Sequence, residues 1–305
     1  MRVAAPLLVV LALAGCGGGH AATQTAGRPA TTRRAVTTPC VAAPRAGDLS
    51  LRVLAGSPTV AVHVPQGLHA GDRAPLVLGL HGAGQDARGF EAESNFTQVS
   101  DEHRFVVAYP MSWRPRGFWE YPEDDNPRSG VRLLRATIDA VARSVCIDRR
   151  RVFVTGISSG GRMTYAAGCE LADVLLAVAP VSGGTRQLPP CHPARPISIL
   201  DVHGTSDQIV SYRGRGRDHD GRVPDVMADW AGREGCAARA KTRRIDRYVV
   251  RLEWPGCRGG ARVVHLRIEG GRHAWPPLGG PAGIGIDGAE EIWRFFASLM
   301  PHPTG

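Results

Sequence analysis

Short, almost unbroken apolar runs punctuate the middle of this chain: residues 75–80 (PLVLGL), 105–109 (FVVAY), 152–155 (VFVT), 175–181 (LLAVAPV) and 197–202 (ISILDV). Runs of this length without polar alternate positions suit strands buried on both faces, the environment of a parallel sheet. Residues 59–64 instead alternate, as an antiparallel strand at a sheet edge does, and residues 262–268 (RVVHLRI) read as a further strand. Between the runs the period becomes helical. Val131, Leu134, Ile138, Val141 and Val145 share one face of a helix, and residues 225–234 and 289–300 also read as helices. Strands alternating with helices predict an α/β fold, with a mostly parallel central sheet and helices on both faces. The chain carries no internal repeat.

Ahead of residue 46 the pattern changes. Met1 and Arg2 start a short positive region, and residues 3–14 form an apolar run too short to span a bilayer. The run ends in Leu13-Ala-Gly-Cys16, which resembles the lipobox of bacterial lipoproteins, where the cysteine is lipidated and becomes the mature N-terminus. An ordinary secretory signal cleaved nearby is the alternative. Residues 17–39 then pass through Gly, Ala, Thr and Pro with almost nothing large and apolar, the composition of a tether. The expected organisation is a signal peptide over 1–15, a flexible tether over 16–45 and one domain over 46–302. Such a protein is exported, and is either anchored to the membrane through Cys16 or secreted.

Composition changes this picture little. A 43% hydrophobic and 21% charged chain has the content of an ordinary globular domain. The formal charge of +9 comes from arginine, Lys241 being the single lysine. The arginine-rich stretch 213–222 reads as a solvated loop. No helix-turn-helix, zinc-finger or RNA-binding signature accompanies it, so no nucleic-acid partner is expected. With Cys16 set aside, Cys40, Cys146, Cys169, Cys191, Cys236 and Cys257 remain, an even set that suits an oxidising compartment. Many pairings are open. The local pairs Cys169–Cys191 and Cys236–Cys257 are the simplest, leaving Cys40 with Cys146. No Cys-x-x-Cys or His-Glu-x-x-His spacing suggests a metal, and none is expected.

In open sheets of this kind, function sits beyond the carboxyl ends of the strands. Four stretches fall there. After PLVLGL comes His81-Gly-Ala-Gly-Gln85, whose glycines allow backbone amides to face a site, as an oxyanion hole requires. After VFVT comes Gly156-Ile-Ser-Ser-Gly160, the Gly-x-Ser-x-Gly of a nucleophile elbow, with Ser158 at its centre and the amide of Ser159 as an oxyanion donor. After ISILDV comes His203-Gly-Thr-Ser-Asp207, where Asp207 can orient a histidine; Asp201 lies inside the strand and reads as structural. After RVVHLRI comes Glu269-Gly-Gly-Arg-His273, which places His273 on a late strand-end loop. The order Ser158, Asp207, His273 is that of α/β-hydrolases.

Taken together, LVLGLHGAGQ, RVFVTGISSGGRMTY, CELADVLLAVAPVSG, DVHGTSDQIVSY and IEGGRHAWP resemble the secreted polyhydroxybutyrate-depolymerase-like and feruloyl-esterase family over about residues 75–300. The resemblance implies an α/β-hydrolase without a large cap domain, with Ser158 as nucleophile, His273 as general base and acid, and Asp207 as its orienting partner. It implies oxyanion donors at the amides of Ala83 and Ser159, Ala83 being preferred to Gly84, and a substrate pocket that includes His81, Trp119 and Trp275. The implied substrate is an ester, whether a polyhydroxybutyrate-type oligomer, a feruloyl or acetyl group on polysaccharide, or another short-chain ester, and no cofactor is needed. Two departures stand out. The family often carries a cysteine where this chain has Ala83, and residues 111–130 are richer in Arg, Pro and acidic residues than the family's. The second bears on the substrate more than on the chemistry. Trp113, Trp119 and Trp275 read as an aromatic wall or as plain core. A serine peptidase of the same fold and a non-catalytic envelope binding protein are the rival readings.

Overall fold

The apolar runs pair side by side. In the computed structural model, which describes residues 45–120, 129–185, 188, 190–214, 221–277 and 285–300, the strands are β1 (Gly47–Leu51), β2 (Val60–Val64), β3 (Ala74–Leu80), β4 (Val106–Tyr109), β5 (Ile147–Ile157), β6 (Ala177–Val181), β7 (Ser198–Gly204), β8 (Lys241–Asp246), β9 (Val249–Trp254) and β10 (Val263–Ile268). They form one sheet in the order β1-β2-β4-β3-β5-β6-β7-β10-β9-β8. The stretch from β4 to β10 is parallel throughout, and β1, β2, β9 and β8 flank it with antiparallel pairings. Every residue of β3, β4, β6 and β7 is buried, as their unbroken apolar sequences require.

Helices cover both faces. On one side α3 (Gly130–Ser144), α4 (Ser159–Glu170) and α5 (Val223–Arg233) pack Leu134, Ile138, Val141, Met163 and Met227 against the sheet. On the other, α1 (Ala87–Ser94), α2 (Phe96–His103) and α6 (Gly288–Ala297) contribute Phe90, Phe96, Val99, Ile292 and Phe296. The α3 helix starts where Ser129 accepts the amide of Arg132, and its predicted face is buried except for the half-buried Val131. The cysteine pairs Cys169–Cys191 and Cys236–Cys257 are disulfides. The expected signal peptide, Cys16 and Cys40 lie outside the described residues, and so does 121–128 of the divergent segment.

One expectation fails here. Residues 59–64 do not form the sheet edge, because β1 pairs outside β2 in antiparallel register, Asp48 facing His63. That edge is fastened by a charge. His63 Nδ1 lies 2.9 Å from Asp48 Oδ1 and its Nε2 lies 3.0 Å from Asp101 Oδ1, on α2. Both ring nitrogens can donate only in the imidazolium. Burial works against that charge, but the hydrogen bonds to Asp48 and Asp101 outweigh it and raise the pKa above the usual histidine value. A raised pKa contributes stability that is complete below the unfolded-state value and is lost as pH rises through the folded one. His63→Gln should therefore cost about 1 kcal/mol at pH 5, the scale of a largely exposed ion pair. Thermal unfolding from pH 5 to 9 should show the gap closing; a gap that widens with pH would contradict the imidazolium.

Candidate active site

Strand β5 ends by passing under its neighbour. A Cβ at Gly156 would lie 2.6 Å from both the Cβ and the carbonyl of Leu80, and one at Gly160 would lie 2.3 Å from the Leu80 carbonyl. Both motif glycines are thus demanded by the end of β3. Between them Ser158 is held at φ 57°, ψ −115°, a backbone state that costs a non-glycine residue on the order of 1–3 kcal/mol. Its amide donates to the Val181 carbonyl at 2.9 Å, and its own carbonyl accepts Arg162 N–H at 2.9 Å, which starts α4. The serine consequently sits at the N-terminus of a helix, where partial positive charge favours an anion.

The glycine loop after β3 lies alongside. Its amides are not equivalent. Gly82 N–H donates to Gln85 Oε1 and Gly84 N–H donates to the Arg116 carbonyl at 2.6 Å, whereas Ala83 N–H has no acceptor among the described residues. Of the two amides weighed from sequence, Ala83 is the one left available. A Cβ on Gly82 would come within 3.5 Å of Ser158 Cβ, so this loop borders the serine directly.

His81, Trp119 and Trp275 are not walls of an open pocket, because all three are at most 2% exposed. His81 Nδ1–H donates to the Gly82 carbonyl at 2.9 Å while its Nε2 accepts the Ser112 amide at 3.2 Å. That fixes one neutral tautomer, and burial lowers the pKa in the same sense. Trp119 Nε1–H donates to the His81 carbonyl at 2.9 Å, and its amide donates to Ser159 Oγ at 3.3 Å. These two side chains brace the glycine loop from behind. Trp275 is core, packed edge-on against Phe90 and Phe96. Trp113 is half-buried and donates to the Gly56 carbonyl. Large apolar surface is offered instead by Phe118, 50% exposed beside the Trp119 brace, and by Ile209, 46% exposed on the loop of Asp207. Neither was singled out from the sequence.

Asp207 and His273 are brought together by loops stitched at the same sheet edge. Thr205 N–H donates to the Ile268 carbonyl, Ser206 N–H to the Gly271 carbonyl and Gly270 N–H to Thr205 Oγ1. Gly204 and Gly271 touch so closely that a Cβ on Gly204 would lie 2.3 Å from the Gly271 carbonyl. Across this contact His273 Nδ1–H donates to Asp207 Oδ2 at 2.8 Å. Asp207 Oδ1 accepts the amides of Ile209 and Val210, each at 2.9 Å. Burial alone would raise the pKa of this carboxyl, but the hydrogen bonds from His203 and His273 outweigh it and hold it far below the usual carboxylate range. Since β5, β6, β7 and β10 run parallel and adjacent, Ser158, Asp207 and His273 all lie beyond the carboxyl ends of one block of strands.

The rival pair is internal. Asp201 Oδ2 lies 2.7 Å from His265 Nδ1, Tyr165 O–H donates to Asp201 Oδ1 at 2.7 Å, and Tyr212 O–H meets His265 Nε2 at 3.0 Å, all of them buried between sheet and helices. Among the described residues, Glu102, His103 and Glu290 also gather metal-ligand atoms, but at the surface beside the amino end of β4, away from the carboxyl edge.

No family model matches the chain. It is 30% identical over 233 residues to feruloyl esterase B of Piromyces equi, covering 70% of this chain and 42% of that protein. It is 35% identical over 128 residues to poly(3-hydroxyalkanoate) depolymerase C of Paucimonas lemoignei, covering 40% of this chain and 30% of that one. The chain thus spans less than half the length of either relative. In structure it is similar to the acetyl xylan esterase from Aspergillus awamori, with a TM-score of 0.62 at 16% identity over 82% of this chain and 99% of that one, a likeness of fold.

Proposed function

We propose that this chain, an α/β-hydrolase homologous to feruloyl esterase and poly(3-hydroxyalkanoate) depolymerase, is an exported serine esterase that cleaves carboxylic esters through Ser158, His273 and Asp207. The observation that carries the reading is a strained serine beyond the carboxyl end of β5 with a part-buried Asp–His hydrogen bond beyond the carboxyl ends of β7 and β10. With Nδ1–H committed to Asp207, Nε2 of His273 is the nitrogen free to take a proton. Ser158 Oγ adds to the ester carbonyl carbon as its proton passes to that Nε2, and Asp207 stabilises the imidazolium. The amides of Ala83 and Ser159 meet the oxyanion, aided by the α4 N-terminus. Collapse breaks the carbon–oxygen bond to the alcohol, which leaves with the proton from Nε2. Water, deprotonated by His273, then attacks the acyl-enzyme and releases the acid and Ser158.

A fluorophosphonate should add its phosphonyl group to the peptide containing Ser158, and an unlabelled native protein would sink the reading. Two disulfides among the described residues suit an oxidising compartment. We place the anchor at Cys16; a mature N-terminal peptide whose mass carries no lipid there would refute it.

For the substrate, Phe118, next to the Gly117 that packs on the Gly82 carbonyl, and Ile209, two residues past Asp207, are exposed apolar side chains, and they are proposed to contact the acyl or alcohol group. Feruloyl esters, acetyl esters and hydroxybutyrate oligomers all offer such groups. Phe118→Ala should raise KM for methyl ferulate about tenfold, the equivalent of roughly 1.4 kcal/mol of lost apolar contact, and leave kcat nearly unchanged. Initial rates on methyl ferulate, p-nitrophenyl acetate and a hydroxybutyrate trimer would check it, an unchanged KM on every ester removing Phe118 from the site.

A further inference from the structure

The carboxylate of Asp207 has a second histidine beside it. His203 Nε2 lies 3.3 Å from Asp207 Oδ2, the oxygen that accepts His273 Nδ1–H, and 2.9 Å from the Val210 carbonyl. Val210 in turn donates its amide to Asp207 Oδ1. A closed ring results, from His203 to Val210, from Val210 to Asp207 and from Asp207 back to His203. Facing two acceptors, Nε2 of His203 carries a proton. The side chain is 0% exposed, so this N–H has no water to turn to.

We propose that His203 is a positioning residue for the triad: it fixes the loop that wraps Asp207, and it draws negative charge from the carboxylate oxygen that His273 shares. The inference rests on the triad reading above. A second N–H on Oδ2 takes a share of the negative charge that Asp207 would otherwise lend to an imidazolium at His273.

The surroundings leave Asp207 as the carboxylate His203 reaches. Asp201, two residues earlier on β7, is engaged by Tyr165 of α4 and His265 of β10. Arg267, in register with His203 on β10, is paired with Glu269 at 2.7 Å. Tyr212 presents its ring edge-on at 6.0 Å and meets His265 through its hydroxyl, Arg272 and His273 follow on the β10 loop, and β6 carries no titratable residue.

The test is the pH dependence of kcat and KM on p-nitrophenyl butyrate for the full chain and for His203→Phe, His203→Asn, His203→Gln and Ser158→Ala. Phenylalanine keeps the ring without the N–H, and asparagine is too short to reach either acceptor. Both should lower kcat by about ten- to a hundredfold, the scale on which a supporting partner of a functional histidine is felt. Both should leave KM nearly unchanged and move the acidic limb of the profile to higher pH. Glutamine, whose terminal N–H stands the same number of bonds from Cα as Nε2, should restore most of the rate and of the limb. A brace that only packs the loop would not raise that limb. An unmoved or lowered limb, or equal losses in the glutamine and phenylalanine variants, overturns the proposal; if the phenylalanine variant does not fold, asparagine against glutamine decides it. Should Ser158→Ala keep wild-type turnover, the triad itself has failed and the proposal falls with it. Should Ser158→Ala be inactive while His203→Phe behaves as wild type, only the role of His203 has failed.

Discussion

Ser158→Ala is expected to lower kcat for ester hydrolysis by roughly 10⁴- to 10⁶-fold, and Ser158→Gly to be as inactive while unfolding at a higher temperature. The first effect follows from removing the oxygen that forms the acyl-enzyme, which leaves only binding and oxyanion stabilisation to act on water. The second follows from the backbone. Ser158 stands at φ 57°, ψ −115°, held there by its amide bond to Val181 and by the start of α4. Glycine reaches such angles without the Cβ clash, so the folded state gives up strain that alanine would keep. Glycine also has more unfolded-state freedom to lose, which offsets part of that relief. A net gain of about 1 kcal/mol would raise the unfolding midpoint by about 2–4 °C for a domain of this size. Rates on p-nitrophenyl butyrate with parallel calorimetry separate the two effects. Near-native turnover in Ser158→Ala would dismiss the nucleophile; a glycine variant less stable than the alanine one would dismiss the strain.

How far the sequence reveals this arrangement depends on where each residue's partner lies. The central strands are legible because burial on both faces leaves them no polar position, as in the wholly buried β3 and β7. The edges are not. β1 (GDLSL) and β8 (KTRRID) are mostly exposed or half-buried and are held by backbone pairing to one neighbour, which makes little demand on side chains. α1 and α2 are eight residues each and meet at Asn95 with a left-handed φ of 61°, so neither shows a sustained helical period. In the site, Ser158 is legible because its constraint is local: the two glycines that clear the turn stand two residues to either side. Gly161 is as tightly placed, a Cβ there falling 2.9 Å from the Cα of Gly183, yet nothing in the local sequence marks a contact between segments so far apart. The pocket residues fail for a different reason. Residue type cannot tell which of two neighbours in a turn faces outward, and it is Phe118, not Trp119, that does. His203 shows itself only as a histidine four residues before Asp207, a spacing that acquires meaning once the loop folds back through Val210.

Asp207→Asn should lower kcat by about 10⁴, although the substitution preserves shape, because it reverses the hydrogen-bond logic of the site. The carboxylate accepts from four donors, the Ile209 and Val210 amides on one oxygen and the His273 and His203 ring N–H groups on or near the other. An asparagine has one oxygen and one NH₂ group, so whichever way it turns, the NH₂ faces donors. If it faces His273, that ring is driven to carry its proton on Nε2 and can no longer take one from Ser158. If it faces Ile209 and Val210, the loop that wraps the residue loses both its bonds. Either arrangement leaves buried donors unpaired, at about 1–3 kcal/mol of stability. The pH dependence carries the sign. The pKa of Asp207 is depressed in the fold, so its contribution to stability is complete above the unfolded carboxyl's value and is lost as pH falls toward the folded one. As pH falls from about 8, the stability gap between wild type and Asp207→Asn should thus not narrow before about pH 4, the unfolded carboxyl value, and should narrow below it. The raised pKa of His203, which Asp207 supports, can only widen the gap above that pH. Thermal unfolding across that range, with kcat at pH 7, reads both. A full-rate asparagine variant would remove Asp207 from the mechanism, and Asp201 could not stand in for it, being buried and already held by Tyr165 and His265. A gap that already narrows as pH falls from 7 to 5 would mean that the carboxylate is not held by its donors in the way the geometry requires.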